Sequence, residues 1–309
     1  MRLGYKIIAG ADIASHDIKE EIIRLLIDKG YDVTNANTSG PEHGDFTDAA
    51  EVVAKGIQSG EYHKGIMLCG SGIGAAMAVN KFNGVRGALC YDLERAVLAA
   101  ADNNTNVLCT GGWLMPSAEY AVKMIEAWLL VKYTGRDTEG MERVSAIERD
   151  IQKNTGIQNK ESIVIGCDVS GYPLKKLVTE ELLKEGYAIK DVGCNNTKKG
   201  YYIDAAEPVC RAVQSGEYGK GILICGTGQG MNITANKFSG IRSAICYDLF
   251  TAKMSRADSD ANVLCTGAWC VEPRKGIEIV KMWLTSDYYN PNNAYGIQRM
   301  KEFDKNMRE

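Results

Sequence analysis

The chain has 309 residues, of which 45% are apolar and 24% are charged, and its formal net charge is −3. This length and balance are typical of a globular protein with about two domains of ~150 residues. The small negative charge offers no basic surface for a nucleic acid, and no stretch reaches the ~18 consecutive apolar residues of a membrane span. Met1–Lys6 lead into a first strand rather than a signal peptide, so we expect a cytoplasmic protein whose ten cysteines are free thiols.

Short apolar runs alternate with amphipathic runs along the first half of the chain. Apolar runs of about four to five residues predict buried strands, and apolar residues at helical spacing predict helices. The predicted strands are Lys6–Gly10, Tyr31–Thr34, Gly65–Leu68, Arg86–Cys90 and Val107–Thr110, and the predicted helices are Asp17–Lys29, Asp48–Ser59, Ala75–Phe82, Leu93–Ala101 and Ser117–Lys132. This order predicts an α/β fold, a doubly wound parallel sheet with helices on both faces. Ligands bind at the carboxyl ends of such strands, so the residues that follow each strand are the candidates for chemistry.

The second half of the chain repeats the first at a constant offset of 156 residues. Cys69-Gly70-Ser71-Gly72 returns as Cys225-Gly226-Thr227-Gly228, and Asn106–Gly111 returns as Asn262–Gly267. A period of this length indicates two whole domains from one duplication, because solenoid repeats are much shorter. We predict one domain over residues 1–152 and a second over 161–309, joined by a polar linker over 153–160.

A cysteine and a glycine-rich loop follow the third predicted strand of each half. Glycines let the backbone turn with its N–H groups pointing into a concavity, and the next helix adds partial positive charge. Such a cup holds an oxyanion, and it is expected to lower the pKa of a neighbouring thiol. A hydroxyl two residues later completes a set of base, proton relay and anion hole. The set comprises Cys69, Ser71, Gly70, Gly72 and Gly74 in the first half, and Cys225, Thr227, Gly226, Gly228 and Gly230 in the second.

A dinucleotide site is an alternative reading of the same loop. Gly70-x-Gly72-x-Gly74 opens a helix, and Asp92 ends the next strand, where a ribose-binding acid belongs. The loop follows the third strand of its half rather than the first, however, and its helix is short. A zinc site is also disfavoured, since the sequence has no Cys-x-x-Cys pair and only three histidines.

Further acids and amides recur near other strand ends. In each half, one lies after the first strand and two lie at the start of the last strand: Asp12, Asp102 and Asn106 in the first half, and Asp168, Asp258 and Asn262 in the second. We expect them to gather at one edge of the sheet and to bind hydroxyl groups. Hydroxyl-binding acids beside a base and an oxyanion cup suit proton abstraction next to a carbonyl. The sequence therefore favours aldose–ketose isomerisation of a sugar through an enediol(ate).

Four motifs of the second half recur in the first. In the second half they are Gly166-Cys167-Asp168, Ile224–Gly230, Ala235–Arg242 and Ala261–Val263. Their counterparts in the first half are Gly10-Ala11-Asp12, Leu68–Gly74, Val79–Arg86 and Thr105–Val107. Together they resemble ribose-5-phosphate isomerase B and the related galactose-6-phosphate isomerase. The resemblance covers nearly all of both halves, so the chain is identified as a tandem fusion of two copies. It implies two Rossmann-like three-layer domains, each with a five-stranded parallel sheet. It also implies an isomerase without metal or cofactor, whose sites form between two subunits.

The resemblance also assigns roles to individual residues. Cys69 and Cys225 would move the proton between C1 and C2, and Ser71 and Thr227 would relay a proton between O1 and O2. The amides of the two glycine loops would cradle the enediolate. Arg143 and Arg299 fall on the family's phosphate-binding arginine, which a neighbouring subunit donates. We therefore expect an internal pseudo-dimer that pairs Cys69 with Arg299 and Cys225 with Arg143, and a further homodimer.

Four positions depart from the pattern of ribose-5-phosphate isomerase B. The histidine that follows its first aspartate is replaced by Ile13 in the first half and Val169 in the second. A second arginine, four residues before Arg143 and Arg299, is replaced by Glu139 in the first half and Tyr295 in the second. The ring-opening histidine falls on Asp102 and Asp258, either of which could still act as an acid if burial raises its pKa. A phosphate-binding arginine falls on Trp113 and Trp269, whose indoles could stack on the substrate. The four replaced positions in the two copies are Ile13, Val169, Asp102, Asp258, Trp113, Trp269, Glu139 and Tyr295.

These departures leave the substrate open. A sugar phosphate other than ribose 5-phosphate is expected, either a hexose phosphate or an acyclic tetrulose phosphate, and an unphosphorylated sugar is an alternative. A sugar-binding regulatory protein with decayed catalysis is another alternative, and a dinucleotide enzyme is the least favoured. Gln229 in place of Ile73 makes the second cup more polar, so we expect the second half to be the better catalyst.

Overall fold

The structure is a computed structural model, which describes residues 4–38, 40, 44–135, 138–149, 162–197, 200–290 and 293–306. Residues 150–161 are not described, so the predicted linker over 153–160 and the domain limits at 152 and 161 lie outside the described residues. Within the described ranges, no helix combines the length and the apolarity that a membrane crossing requires.

Five parallel strands form a sheet in each half. The first sheet has the order β2-β1-β3-β5-β4 and the second the equivalent order β7-β6-β8-β10-β9. The strands are β1 (Lys6–Ala11), β2 (Asp32–Asn35), β3 (Lys64–Cys69), β4 (Gly87–Leu89), β5 (Val107–Gly111), β6 (Ser162–Cys167), β7 (Ala188–Gly193), β8 (Lys220–Cys225), β9 (Ser243–Ile245) and β10 (Val263–Gly267). All neighbouring strands of the two sheets pair in parallel. The predicted doubly wound α/β fold is confirmed in both halves.

Helices connect the strands and cover the two sheets. They are α1 (His16–Asp28), α2 (Phe46–Gln58), α3 (Ile73–Val79), α4 (Leu93–Asn103), α5 (Ala118–Leu130), α6 (Thr138–Arg149), α7 (Tyr172–Lys184), α8 (Tyr202–Gln214), α9 (Gln229–Ala235), α10 (Leu249–Ala257), α11 (Pro273–Thr285) and α12 (Ala294–Asn306). Helix α2 begins two residues before its predicted start, because the Asp45 side chain caps it by accepting a hydrogen bond from the Thr47 N–H.

The chain divides into two compact units that do not coincide with its two halves. Unit 1 comprises Met1–Thr138 and Gln298–Phe303, and unit 2 comprises Glu139–Ile297 and Asp304–Glu309. In unit 1, the Phe303 ring packs on the Phe82 ring with centroids 4.9 Å apart. In unit 2, the buried ammonium group of Lys237 lies 2.8 Å from the Glu148 carboxylate of α6. Nearly all of α6 therefore belongs with the second sheet, and part of α12 belongs with the first.

The strand order places the topological switch point between β1 and β3. From β1 the chain moves outward to β2 and then crosses to β3 on the other side of β1. Neighbouring connections diverge there and leave a crevice at the carboxyl ends of the two strands. Asp12 follows β1 and Cys69 ends β3, so two of the predicted site residues flank this crevice. Asp168 and Cys225 hold the equivalent positions in unit 2.

One buried hydrogen bond of the core distinguishes the two sheets. The indole N–H of Trp128 donates to the Thr105 hydroxyl at 2.8 Å, and both side chains are buried. In the second half, Ala261 stands at the position of Thr105, and the buried indole N–H of Trp283 has no partner among the described residues. Each sheet therefore buries a tryptophan, but only the first has this threonine to accept its N–H.

We expect Thr105→Val to lower the free energy of unfolding by ~1–3 kcal/mol, because it leaves the buried Trp128 N–H without an acceptor. Thr110→Val is the matched control, since the buried Thr110 hydroxyl has no hydrogen-bond partner among the described residues. Valine at position 110 should leave the stability unchanged or raise it. Urea unfolding monitored by tryptophan fluorescence measures both effects, and equal losses in the two variants would contradict the assigned role of Thr105.

Candidate active site

Cys69 ends β3 with its sulfur turned into the glycine loop. The Gly72 N–H donates to the Cys69 sulfur at 3.1 Å, and the Gly228 N–H donates to the Cys225 sulfur at 3.0 Å. This geometry requires glycine, because Gly72 has φ +81° and a Cβ there would lie 2.6 Å from the Thr110 carbonyl carbon. The loop therefore forms the predicted cup, and the cysteine sulfur occupies it.

The two strand-end cysteines retain an opening to solvent that their neighbours lack. Cys69 and Cys225 are each 5% exposed. The cysteines within the neighbouring strands β5 and β10, and those that directly follow β4 and β9, are fully buried: Cys109, Cys265, Cys90 and Cys246. All ten cysteines are free thiols. Cys194 and Cys270 are more exposed, so it is the position at the switch point, together with this small opening, that distinguishes Cys69 and Cys225.

The prediction of a lowered thiol pKa is wrong for this structure. Burial, with a smaller contribution from the Asp12 carboxylate, raises the pKa of Cys69 to about 12, and the amides of the loop counteract only part of this effect. Burial, with smaller contributions from Asp168 and Cys265, likewise raises the pKa of Cys225 well above its ordinary value. The desolvation of a thiolate at a nearly closed sheet edge outweighs the field of a few amide dipoles.

Asp12 is held against the loop by backbone donors. One carboxylate oxygen accepts the Gly70 N–H at 3.3 Å, and the other accepts the Ser15 N–H at 3.1 Å. Burial raises the pKa of Asp12 to about 6, although these backbone hydrogen bonds lower it in part. In unit 2, Asp168 accepts the Gly171 N–H at 2.8 Å. The structure thus brings Asp12 to the loop that contains Cys69, as predicted from its position after β1.

The two hydroxyls predicted to relay a proton, those of Ser71 and Thr227, lie at the amino ends of the helices that follow the loops. The Ser71 hydroxyl oxygen accepts the Ile73 N–H at 3.3 Å, and the Thr227 hydroxyl oxygen accepts the Gln229 N–H at 3.3 Å. These contacts leave each hydroxyl proton available as a donor. The phenol of Tyr91 donates to the Ser71 carbonyl at 2.7 Å and fixes this part of the loop.

The glycine positions of the loop have distinct structural reasons. Gly70 and Gly226 lie beneath the indoles of Trp113 and Trp269, where a Cβ would come within 2.6 Å and 2.7 Å of the rings. Gly72 and Gly228 have positive φ. Gly74 lies against the Phe46 ring of α2, and Gly230 lies in the first turn of α9. In the first loop, the three glycines therefore pack against the Trp113 indole, the backbone of β5 and the Phe46 ring.

An exposed indole covers each cup. Trp113 is 57% exposed and Trp269 is 55% exposed, although each lies in van der Waals range of a loop glycine. The backbone N–H of Trp113 donates to the Gly70 carbonyl at 3.0 Å, and that of Trp269 donates to the Gly226 carbonyl at 2.9 Å. Neither tryptophan is a core residue, so each presents an apolar face beside the cup.

The prediction that the remaining acids and amides gather at the same edge is wrong. Asn106 precedes β5 and clamps a loop there, accepting the Arg86 N–H and donating to the Gly84 carbonyl at 2.8 Å each. Asn262 makes the equivalent pair of hydrogen bonds in unit 2. Because helices and strands alternate in direction, Asp102 at the end of α4 and Asp258 after α10 also lie at the amino edge. In each unit, the aspartate and the asparagine therefore lie at the amino edge of the sheet, opposite the carboxyl edge where the cysteine lies.

Each of the two predicted arginines lies close to a carboxylate in the first turn of an equivalent helix, Asp48 of α2 or Asp204 of α8. Arg299 belongs to unit 1 and contacts Asp48, Glu51 and Glu302. Arg143 belongs to unit 2, where its guanidinium lies 2.6 Å from the Asp204 carboxylate. Asp48 and Asp204 are the same position in the repeat. Sequence reasoning missed these carboxylate partners, although their recurrence at the constant offset was a usable signal.

Asp92, the acid that the dinucleotide alternative expected to bind a ribose, caps helix α4 instead. Its carboxylate caps α4 by accepting the Arg95 N–H at 2.9 Å, and it also pairs with the Arg95 guanidinium. Asp248 caps α10 in the same way, accepting the Thr251 N–H at 2.7 Å. The acid expected to bind a ribose is therefore occupied by its own helix. Among the described residues, no group of three His, Cys, Asp or Glu side chains could hold a metal ion.

Comparison with known proteins gives one family match in each half. A sequence model described as "Ribose/Galactose Isomerase" matches residues 7–147 and 163–300. Ribose-5-P isomerase B of Listeria innocua is 37% identical over 146 residues, covering 47% of this chain and 99% of that protein. A solved structure of ribose-5-phosphate isomerase B from Clostridium thermocellum is 39% identical, with a TM-score of 0.46, and covers 47% of this chain and 98% of its own.

Two further relatives have names that refer to four-carbon compounds. D-erythrulose-4-phosphate isomerase of Pectobacterium atrosepticum is 33% identical over 144 residues, which are 46% of this chain and 95% of that protein. 4-deoxy-4-sulfo-D-erythrose isomerase of a Clostridium species is 39% identical over 127 residues, which are 41% of this chain and 80% of that protein. The chain is therefore about twice as long as these relatives, and each of them aligns with about half of it.

Proposed function

This chain belongs to the ribose/galactose isomerase family in both of its halves, and we propose that it interconverts an aldose phosphate and a ketose phosphate with Cys69 and Cys225 as bases. Enzymes of this class are intramolecular oxidoreductases. One observation carries the proposal: each unit places a thiol that is 5% exposed in an amide cup at the switch point of its sheet. The alternative of a dinucleotide enzyme is disfavoured, because Asp92, the acid expected to bind the ribose, caps helix α4 instead.

The proposed reaction moves two protons and needs no net oxidant. The Cys69 thiolate removes the proton from C2 of the aldose, and the electron pair forms the C1–C2 double bond of an enediolate. The thiol then returns the proton to C1, while the Ser71 hydroxyl relays the O2 proton to O1, which leaves the ketose. The loop amides stabilise the negative charge that develops on the oxygens. No metal ion takes part in this proposal, and Cys225 and Thr227 act in the same way in unit 2.

The proposed substrate is a four-carbon sugar phosphate. A tetrulose 4-phosphate has no free hydroxyl that could close a five-membered ring, so its isomerisation needs no ring-opening acid. The family's ring-opening histidine is replaced by Asp102 and Asp258. Two relatives whose names refer to four-carbon compounds support this choice. Arg299 in unit 1 and Arg143 in unit 2 are the proposed phosphate ligands, and Trp113 and Trp269 are proposed to stack on the carbon chain.

The experiment that tests this function is proton–deuterium exchange in D₂O, followed by NMR, over tetrose, pentose and hexose phosphates. We expect exchange at C1 or C2 to be fastest with erythrulose 4-phosphate and slow with ribose 5-phosphate. Fastest exchange with a hexose phosphate would overturn the choice of substrate but keep the reaction. Thermal stabilisation by a sugar phosphate without exchange in any of them would instead show a binding protein and overturn the reaction.

The rate of exchange should depend steeply on pH, because the pKa of the base is raised. A thiol whose pKa lies at about 12 is almost entirely protonated at neutral pH. Below that pKa the thiolate fraction grows about tenfold per pH unit, so kcat/KM should rise with a slope of about one between pH 7 and 9. Circular dichroism over the same range serves as the control for unfolding. A plateau below pH 8 would contradict the prediction.

A further inference from the structure

One peptide group of the first glycine loop is held on both of its sides. The Gly72 N–H, which donates to the Cys69 sulfur at 3.1 Å, belongs to the peptide group that joins Ser71 to Gly72. The carbonyl of the same peptide group is that of Ser71, which accepts a hydrogen bond from the Tyr91 phenol at 2.7 Å. Because a trans peptide group is planar, its N–H and its carbonyl point in opposite directions. The phenol therefore anchors the peptide on the side opposite the sulfur.

Unit 2 repeats this arrangement at the offset of 156 residues. The Tyr247 phenol donates to the Thr227 carbonyl at 2.7 Å, and the Gly228 N–H of the same peptide group donates to the Cys225 sulfur at 3.0 Å. The residue that supplies the carbonyl is serine in one copy and threonine in the other, but the phenol and its hydrogen bond are the same. The contact therefore does not depend on which hydroxyl side chain the loop carries.

The backbone of the loop does not by itself fix the orientation of this peptide group. Turning the group over changes mainly the ψ of Ser71 and the φ of Gly72, and glycine adopts a negative φ as readily as its observed φ of +81°. In the turned orientation, the carbonyl oxygen instead of the N–H would face the Cys69 sulfur. The hydrogen bond from Tyr91 favours the observed orientation, because a turned carbonyl would point away from the phenol.

We infer that Tyr91 and Tyr247 are positioning residues for the two proposed bases: each phenol holds a peptide group of the glycine loop in the orientation that directs its N–H at the cysteine sulfur. This inference rests on the proposed function, in which the thiolates of Cys69 and Cys225 remove the proton. An N–H donor favours a thiolate over a thiol, because its hydrogen bond to the charged sulfur is the stronger one. A carbonyl oxygen at the same place would repel the thiolate.

The surroundings of the Cys69 sulfur make this N–H important. The ionisable groups next to it are Asp12 and Cys109, whose negative forms oppose a second negative charge. The groups that favour the thiolate are backbone amides of the loop and of the first turn of α3, and the Gly72 N–H is one of them. In unit 2, the groups that oppose the Cys225 thiolate are likewise acids, Asp168 and Cys265.

The anchor of unit 2 has an additional contact. The Gln229 side-chain amide donates to the Tyr247 phenol oxygen at 3.3 Å, whereas Ile73 stands at this position in unit 1. A phenol that accepts one hydrogen bond is a stronger donor of its own. Tyr247 is also buried, whereas Tyr91 is partly accessible to water, which can replace a lost phenol. We therefore expect loss of the phenol to have the larger effect in unit 2.

Alkylation by iodoacetamide measures the thiolate of each cysteine without any turnover. The thiolate displaces iodide from the reagent, and mass spectrometry of the digested protein separates the Cys69 peptide from the Cys225 peptide. In Tyr91→Phe at pH 8, we expect the alkylation of Cys69 to slow about tenfold and that of Cys225 to stay unchanged. Tyr247→Phe should slow the alkylation of Cys225 at least as much and leave that of Cys69 unchanged. Each variant therefore contains its own control.

The direction of the change separates positioning from a merely structural role. Cys69 and Cys225 are each only 5% exposed, so a loosened loop would admit the reagent and speed the alkylation. A faster or an unchanged rate at the cysteine of the altered unit would overturn the inference. If alkylation slows as expected but no sugar phosphate exchanges deuterium, the proposed isomerisation fails while the orienting role of the two phenols stands.

Steady-state kinetics on erythrulose 4-phosphate test the same role in turnover. In the Cys225→Ala protein, Tyr91→Phe should lower kcat about tenfold and leave KM within about twofold, because the change acts on the base. Tyr31→Phe in the same protein is the matched control, since it removes a phenol that donates to Glu126 of α5 at 3.3 Å. This control should keep both constants. A raised KM with an unchanged kcat in Tyr91→Phe would overturn the inference.

Discussion

Removal of both strand-end thiols, by Cys69→Ala together with Cys225→Ala, is expected to lower deuterium exchange at least about a thousandfold on the best substrate. The thiolate is the only group in the proposed reaction that contacts the substrate carbon, so its loss removes the general base entirely. Each single variant should keep the activity of the other unit. We expect the remaining rates of the two single variants to add up to that of the wild-type protein.

The matched control for this prediction replaces two thiols that lie one strand away. Cys109 and Cys265 occupy β5 and β10 and are fully buried. Cys109→Ala with Cys265→Ala creates cavities of the same size as the test variant and should keep the rate within about threefold. Full turnover by the Cys69→Ala, Cys225→Ala protein would show that another group takes the proton. Loss of turnover in the control would show that the effect comes from the fold.

Gly72→Ala is expected to lower exchange at least about a hundredfold in the Cys225→Ala protein and to reduce the free energy of unfolding by ~3 kcal/mol. Two physical effects combine at this position. The residue has φ +81°, and a Cβ would lie 2.6 Å from the Thr110 carbonyl carbon and 2.8 Å from the Gly111 nitrogen. Because both neighbours are backbone atoms of β5, the loop must move, and the Gly72 N–H moves away from the Cys69 sulfur.

Gly60→Ala separates the backbone conformation from the contact. Gly60 has φ +76°, and a Cβ there would meet nothing within 4 Å. We expect this control to lose only the ~1–2 kcal/mol of a left-handed alanine and to keep its activity. Chemical denaturation and the exchange assay measure both variants. Equal stability losses at positions 60 and 72 would show that the contact with β5 contributes nothing, and an unchanged rate in Gly72→Ala would exclude a catalytic role for the amide.

The two units show how a duplicated fold can diverge without losing its site. The glycines of the loop and its covering indole are the same in both copies, and at Gly70, Gly72, Gly226 and Gly228 a Cβ would come within 3 Å of a neighbour. Differences between the copies occur outside the loop. Glu302 opposite Ala146 and Thr105 opposite Ala261 are examples. The first changes the charge beside an arginine, and the second leaves an indole N–H without its acceptor.

The sequence by itself determined the duplication, the α/β fold, the strand-end cysteines and the glycine cup. Each of these is a local property: the repeat offset, the spacing of apolar residues, and the turn that Gly72 permits can all be read along the chain. Asp12 was also found from the sequence, since its place directly after β1 puts it at the carboxyl edge. The family resemblance then supplied Arg143 and Arg299 as candidates.

Only the tertiary structure decided the environment of these residues. Burial reversed the expected direction of the Cys69 pKa, since desolvation depends on every neighbour that excludes water. The direction of helix α4 put Asp102 and Asn106 at the amino edge, away from Cys69 in the same unit. Two of the carboxylates around Arg299, those of Asp48 and Glu51, come from a helix about 250 positions away in the chain. Solvent exclusion and long-range charge contacts depend on packing in three dimensions, and no local pattern records them.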